Sequence, residues 1–249
     1  MNTWSGSNHN MANRNRNFII TIDGPSGAGK STISKKIATR LNISYIDTGA
    51  MYRSVAWATL KQGIDLSATA ELEQLLKNIK IRFQAAGEKN LVFCNEHEVT
   101  DAIRTPQMDQ LASAVSGIPL VRDALLPLQR DAAKDCSAII DGRDAGTVIF
   151  PEAGLKIYLD ADISARARRR LKDQADTVSI NLQSVTKALT ERDAADSSRA
   201  QAPLRMADDA ILIDSTKLNI DEVCEKILTL FFEHFQDISH EQTTTDKNC

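Results

Sequence analysis

The chain has 249 residues, with 30 Lys+Arg against 33 Asp+Glu, a formal net charge of -3 and a sequence pI of about 5.8. At 42% hydrophobic and 25% charged it has the apolar content for a buried core, which excludes disorder as the dominant state. The sign of the charge excludes a generally basic surface that tracks nucleic acid. The longest apolar run, Phe18–Ile22, excludes a membrane helix, which needs about 20 apolar residues.

Residues 1–16 are rich in Asn, Ser and Gly, lack the apolar segment of a secretory signal and read as a mobile tail. From Phe18 onward, five short β-branched runs each end in aspartate: Phe18–Asp23, Ile43–Asp47, Ala138–Asp141, Lys156–Asp160 and Ile211–Asp214. Runs of this kind predict strands buried on both faces. Between them apolar residues recur at helical spacing, as in Ile33, Ile37 and Leu41, or Leu182, Val185 and Leu189, or Val223, Ile227 and Phe231. The alternation predicts an α/β fold: a doubly wound, five-stranded parallel sheet flanked by helices. Ligands of such sheets lie beyond the carboxyl ends of the strands, where all five aspartates would sit.

One stretch breaks the rhythm. Ile79, Ile81 and Phe83 alternate with Lys80, Arg82 and Gln84, a turn follows at Ala86–Asn90, and then come Leu91–Cys94 and Glu98–Thr100. This period of two predicts a small antiparallel meander with one wet face, followed by helical residues 105–134. The expected organisation is a core of 17–71 and 135–235, an insertion region at 72–134 and a frayed polar tail at 236–249. Cys94, Cys136, Cys224 and Cys249 form no CxxC pair, so reduced thiols and a cytoplasmic protein are expected.

The first aspartate-ending run opens into Gly24, Pro25, Ser26, Gly27, Ala28, Gly29, Lys30 and Ser31, followed by Thr32. This is G-x-x-x-x-G-K-[ST] between a strand and a helix, the pattern of a loop that cradles phosphates. Its glycines let backbone N–H groups approach phosphate oxygens, and the helix N-terminus adds partial positive charge. Lys30 would reach the β- and γ-phosphates of ATP, and the Ser31 hydroxyl would help hold Mg²⁺. No guanine-reading Asn-Lys-x-Asp run occurs. Thr48 and Arg53, after the second strand, could meet a second phosphate, Arg being suited to bidentate capture. Arg143 and Asp144, after the third, supply a cation and a carboxylate on the same rim.

Arginines cluster again beyond the fourth strand. Arg166 and Arg170 share a helix face, with Arg168 and Arg169 beside them, while Arg192, Asp196 and Arg199 recur at i, i+4 and i+7 before Pro203. The window Ile163–Arg205 holds nine Lys+Arg against five acids, a local excess inside a mildly acidic chain. A solvated charged face is the ordinary reading of such a helix. Beside a phosphate-binding loop, an arginine-rich helical lid at about 163–203 would bring cations to the transferred group and exclude water.

The runs IDGPSGAGKST, DTGAMYR, IRTPQ, PLVRDAL, IIDGRDAGTVIFP, KIYLDA, ERDAADSSRAQAPL and ILIDST, spread from about residue 18 to 230, resemble those of the bacterial-type cytidylate kinases, a branch of the P-loop nucleoside monophosphate kinases. The resemblance implies transfer of the γ-phosphoryl group of ATP, with Mg²⁺, to CMP or dCMP in pyrimidine nucleotide metabolism. It makes 72–134 the monophosphate-binding region. It places Thr48, Arg53 and Arg143 on the acceptor phosphate, and Ser113, Arg122 and Asp144 on the cytosine ring. Arg192 and Arg199 fall at phosphate-holding positions and Asp196 at a pentose-binding one; Lys30, Arg143, Arg192 and Arg199 become the catalytic cations, and Arg166 and Arg170 join the ATP site. Two residues depart from the pattern: Ala145 stands where a larger apolar residue is usual, and Ala195 where an arginine is frequent.

The nucleophile would be a phosphate oxygen that is already anionic, so no general base is needed, and His9, His97, His234 and His240 read as incidental. The expected partners are the two nucleotides alone, with no nucleic acid, membrane or obligate protein partner, for a monomer. A metabolite kinase acting on a hydroxyl, with Asp47 or Asp144 as base, is the nearest rival. A slow nucleotide-dependent switch is a more distant one.

Overall fold

The computed structural model describes residues 17–86, 89–173 and 181–245. The first apolar run forms β1 (Ile19–Asp23), the glycine-rich loop opens into α1 (Lys30–Leu41), and β2 (Ser44–Asp47) follows. Asp47 both ends β2 and caps α2 (Thr48–Gln62), its carboxylate accepting the Ala50 N–H at 2.8 Å. Then come α3 (Thr69–Asn78) and the meander β3 (Ile81–Ala86), β4 (Lys89–Cys94) and β5 (His97–Glu98). The stretch 105–134 is two helices, α4 (Pro106–Ser116) and α5 (Pro119–Asp131). Each has proline in its first turn, and Pro119 restricts Ile118 to extended backbone, which separates them. β6 (Ala138–Gly142), a π-helical turn at Ala145–Ile149, β7 (Leu155–Asp160), α6 (Ile163–Asp173), α7 (Leu182–Ser197), β8 (Ile211–Asp214) and α8 (Ile220–Thr245) complete the chain. The last helix continues past Gln236, where composition places the start of a frayed tail.

The large sheet has the order β2-β6-β1-β7-β8 with every pair parallel. Its register aligns Asp47 with Asp141, Asp23 with Gly142, and Asp160 with Asp214, so the five aspartates line the carboxyl edge as expected. The first connection leaves β1 toward β2 and a later one returns past it to β7, so the order reverses above β1 and β6, where ligands of such sheets bind. The expectation of strands buried on both faces holds at β6, all of whose residues are buried, and fails at β8. β8 is an edge strand, and Leu212 is 56% exposed with only Ile213 buried.

One core, from Ile20, Ile22, Ile33, Ile37, Ile157 and Phe231, joins the sheet to α1 and α8. A second, from Met51, Val55, Leu72, Val92, Val115 and Leu125, joins α2–α5 to the meander. The lid helices α6 and α7 share only a small cluster of Ala167, Val185 and Leu189. β3 and β4 pair antiparallel from Ile81–Cys94 to Ala86–Lys89, and β5 adds Glu98 opposite Phe93, ending earlier than the expected Thr100. On the wet face the Arg82 guanidinium stacks over the Phe93 ring at 4.7 Å. The tip at 87–88 lies outside the described residues, as do 1–16 and 174–180. Cys94, Cys136 and Cys224 are free thiols.

Candidate active site

A single cleft of about 1240 Å³ runs over the carboxyl edge of the sheet, from the glycine-rich loop to α4, α5 and the lid. At its donor end the loop is built as its sequence demands. Gly24 has φ +146°, and a Cβ there would stand 2.0 Å from the Leu159 carbonyl oxygen, so no other residue fits without moving β7. At Gly27, φ +78°, a Cβ would press on Arg166 at 3.3 Å, which shows how closely the lid seats on the loop. Residues Ser26 to Thr32 line the cleft.

Lys30 is buried, its ammonium donating to the Pro25 carbonyl at 2.7 Å. Burial, and then the neighbouring Arg143, push its pKa well below the ordinary lysine value. Ser31 Oγ donates to Asp141 at 2.6 Å, and the Tyr45 hydroxyl reaches the same carboxylate oxygen at 3.3 Å. Burial and nearby Asp47 lift Asp141 to about 6. A hydroxyl and a carboxylate at the mouth of a phosphate loop are hard oxygen donors of the type Mg²⁺ takes, with nucleotide phosphates and water supplying its remaining ligands. Asp23 is also raised to about 6, chiefly by burial, while accepting the Ala145 and Gly146 N–H groups at 2.8 and 2.7 Å. That bond fixes the π-helical turn carrying Asp144 and the buried Ala145.

Arginines from four elements meet in the middle of the cleft. Arg53 on α2 donates through Nε to Asp109 on α4 at 3.1 Å, and its Nη1, 3.8 Å from Asp47 Oδ2, is buried without a hydrogen bond. Arg192 on α7 lies 3.6 Å from Asp109, and its Nε is likewise buried and unpartnered. Burial, then Arg143, lower Arg192 to about 10. Arg143 donates to Asp196 at 2.8 Å. Buried N–H donors without acceptors cost about 1–3 kcal/mol each, so a cluster of them beside cations is a seat waiting for an anion. Burial would raise the Asp47 carboxyl, but Arg53 and Arg104 overcome it and hold it down at about 2. Thr48 donates to the Asp141 carbonyl at 2.8 Å, and Arg104 to Asp47 at 2.7 Å.

The far end is polar and specific. Arg122 pairs with Asp144, both buried, donates to the Ser116 carbonyl at 3.2 Å and lies over the Tyr52 ring at 5.4 Å. Burial lifts the Asp144 carboxyl although Arg122 pulls it down. Arg199 pairs with Asp196 and donates to Ser116 Oγ at 2.7 Å.

Of the residues expected at the site, Ser26–Thr32, Thr48, Arg53, Arg122, Arg143, Asp144, Arg170, Arg192, Asp196 and Arg199 line this one cleft. Ser113 does not; Ser116, one turn on along α4, does. Arg166 turns away from the cleft to the Ser26 and Ala161 carbonyls and to Asp193, locking the lid to the loop. Gly24 and Pro25 shape the loop without lining the cleft. Ala195 is exposed on α7. Sequence reasoning missed Tyr52, Asp109 and Ser116, and gave Arg104 no role although it lies in the IRTPQ run. It also missed the cleft wall of Arg169, Ser215, Leu218 and Asn219, where Arg169 donates to the Ser215 carbonyl at 2.6 Å.

A parallel sheet with a phosphate loop, a second cationic seat beyond it and an arginine-bearing lid defines a small-molecule P-loop kinase. Residues 20–233 match the family model described as cytidylate kinase. The chain is 42% identical over 220 residues to the cytidylate kinase of Shouchella clausii, covering 88% of this chain and 98% of that one. It is 46% identical over 219 residues to that of Geobacter sulfurreducens (88% and 94% covered) and 44% over 223 to that of Syntrophotalea carbinolica (89% and 95%). The chain belongs to the cytidylate kinase family.

Proposed function

We propose that the enzyme transfers the γ-phosphoryl group of ATP to CMP or dCMP, giving ADP and CDP or dCDP. The observation that carries this reading is the shared cleft: a phosphate loop at one end, the buried Arg122–Asp144 pair at the other, and unpartnered arginine donors between. A carboxylate accepts from the exocyclic amine of cytosine, and a guanidinium donates to its ring acceptors, so the pair matches that edge. Asp196, beside them, is placed for the pentose hydroxyls, and the wall of Arg169, Ser215 and Leu218 for the donor base.

In the reaction an acceptor phosphate oxygen attacks the γ-phosphorus, the bond to the β–γ bridging oxygen breaks, and ADP leaves carrying that electron pair. Since the attacking oxygen is already anionic, the protein supplies position and charge. Lys30 neutralises the donor phosphates; Arg53 and Arg143 hold the acceptor; Arg192 and Arg199 face the transferring group from the lid. Ser31 and Asp141 would hold Mg²⁺, which would supply further charge stabilisation to the transferring group. The free cysteines accord with a cytoplasmic enzyme, and among the described residues no single helix is long and apolar enough to cross a membrane.

Phosphorus NMR of the products tests the reaction class. Incubation with ATP, Mg²⁺ and CMP should convert the CMP phosphomonoester resonance into a second pair of α and β diphosphate resonances beside that of ADP, with no phosphate ester formed on the sugar hydroxyls. A new ester resonance would instead support the hydroxyl-kinase reading.

A further inference from the structure

Resting on that functional reading, we infer that Asp109 is a positioning residue that fixes Arg53, Arg170 and Arg192 as one phosphate-holding constellation before any nucleotide arrives. The three arginines come from α2, α6 and α7, and among the described residues Asp109 on α4 is the acid that ion-pairs with all three. Arg53 Nε lies 3.1 Å from Oδ1 and Arg192 Nη1 3.6 Å from the same oxygen, while Arg170 pairs with Oδ2. Among the described residues, the ion pairs of Arg170 and Arg192 both go to Asp109 and to no other acid.

The way the donors are divided matters. Asp109 takes Nε of Arg53 and leaves Nη1 buried without a hydrogen bond, 3.8 Å from Asp47 Oδ2; it takes Nη1 of Arg192 and leaves Nε buried without a hydrogen bond. Arg53 and Arg192 are thus each held through one donor while another makes no hydrogen bond. A carboxylate that merely stood in for phosphate would have to be displaced, whereas this one braces the arginines and stays. Without it, three guanidinium groups would repel one another, Arg192 would also face Arg143, and ordering them would fall on the substrate. The same contact ties the lid to the acceptor side, since two of the arginines sit on lid helices and Asp109 sits on α4. Nothing in the linear sequence marks the residue: it lies in a short amphipathic helix like any first-turn acid.

The test is steady-state kinetics of Asp109→Asn, which keeps the shape and removes the charge. We expect kcat/KM for CMP to fall about 10- to 100-fold, the scale of a phosphate misplaced by about an ångström. Asp109→Glu should recover part of the loss. The loss should be smaller when Asp109→Asn is made in an Arg192→Lys background, because the carboxylate then orders two of its arginines rather than three. Retention of kcat/KM within about twofold, or an undiminished loss in the Arg192→Lys background, overturns the inference. Wild-type enzyme that leaves CMP unphosphorylated would remove the functional reading and this inference together, and that failure shows before any variant is made.

Discussion

Replacing Lys30 with Met or Ala should reduce kcat by about 10³-fold or more, the scale reported for removing a principal cation or donor from a transferring centre. The ammonium sits at the start of α1 inside the phosphate loop, donating only to the Pro25 carbonyl, so its remaining N–H groups are free for the donor phosphates. Among the described residues, Arg166 is committed to the loop backbone and Asp193, and Arg143 to Asp196, so neither replaces it. Stability should respond differently from activity. Burial and Arg143 lower the Lys30 pKa, so the folded state holds the charged form less readily than the unfolded chain does, and at neutral pH the charge opposes folding. Lys30→Met keeps the apolar stem and discards that charge, so its melting temperature should equal or exceed that of wild type. Near-normal turnover, measured as ADP formation, would contradict the assignment of the loop. A collapse in melting temperature would contradict the electrostatic account of its burial.

Asp144→Asn should abolish much of the preference for cytosine. Asp144 is 3% exposed and paired with Arg122, which is 6% exposed. The carboxylate can only accept a hydrogen bond, which suits an exocyclic amine and rejects the carbonyl that uracil presents at the same place. An amide can donate or accept, so it removes the rejection. We expect kcat/KM for CMP to fall about 10- to 100-fold and the ratio of CMP to UMP to fall with it, since a buried polar group left mispaired is what drives discrimination of this kind. Asn is the informative change because Asp144→Ala strands Arg122 as an unpaired buried charge, costing about 3–5 kcal/mol. KM for ATP should stay near its wild-type value, because the loop lies at the other end of the cleft. An unchanged CMP-to-UMP ratio would contradict the base-reading role.

The fold was legible where local chemistry and periodicity agreed. Five runs ending in aspartate gave five parallel strands with those aspartates on one edge, and the eight-residue glycine-rich pattern gave the loop. β8 was misjudged because apolar composition alone does not distinguish an edge strand from a central one; that depends on which strands lie beside it. The division of 105–134 is marked in the sequence by Gly117 and Pro119, which close α4 and open α5. At the site, the charged runs after strands could be read directly because strand ends deliver them to one rim. Ser116, Asp109 and Tyr52 could not, since each depends on how α2 and α4 pack, a fact about contacts distant in sequence. Arg166 shows the converse: its place in an arginine run was plain, yet the close seating of the lid on Gly27 turned it to the loop backbone.

The central claim is that one cleft joins ATP to a cytosine monophosphate. The measurement that addresses it most directly is kcat/KM for a panel of acceptors (CMP, dCMP, UMP, AMP and GMP) at saturating ATP and Mg²⁺, read by ADP formation. The geometry of Arg122 and Asp144 predicts that CMP and dCMP exceed the purine monophosphates by about 100-fold or more, with little ADP formed when no acceptor is present. Equal turnover of purine and cytosine monophosphates, or ADP release that does not depend on an acceptor, would contradict it.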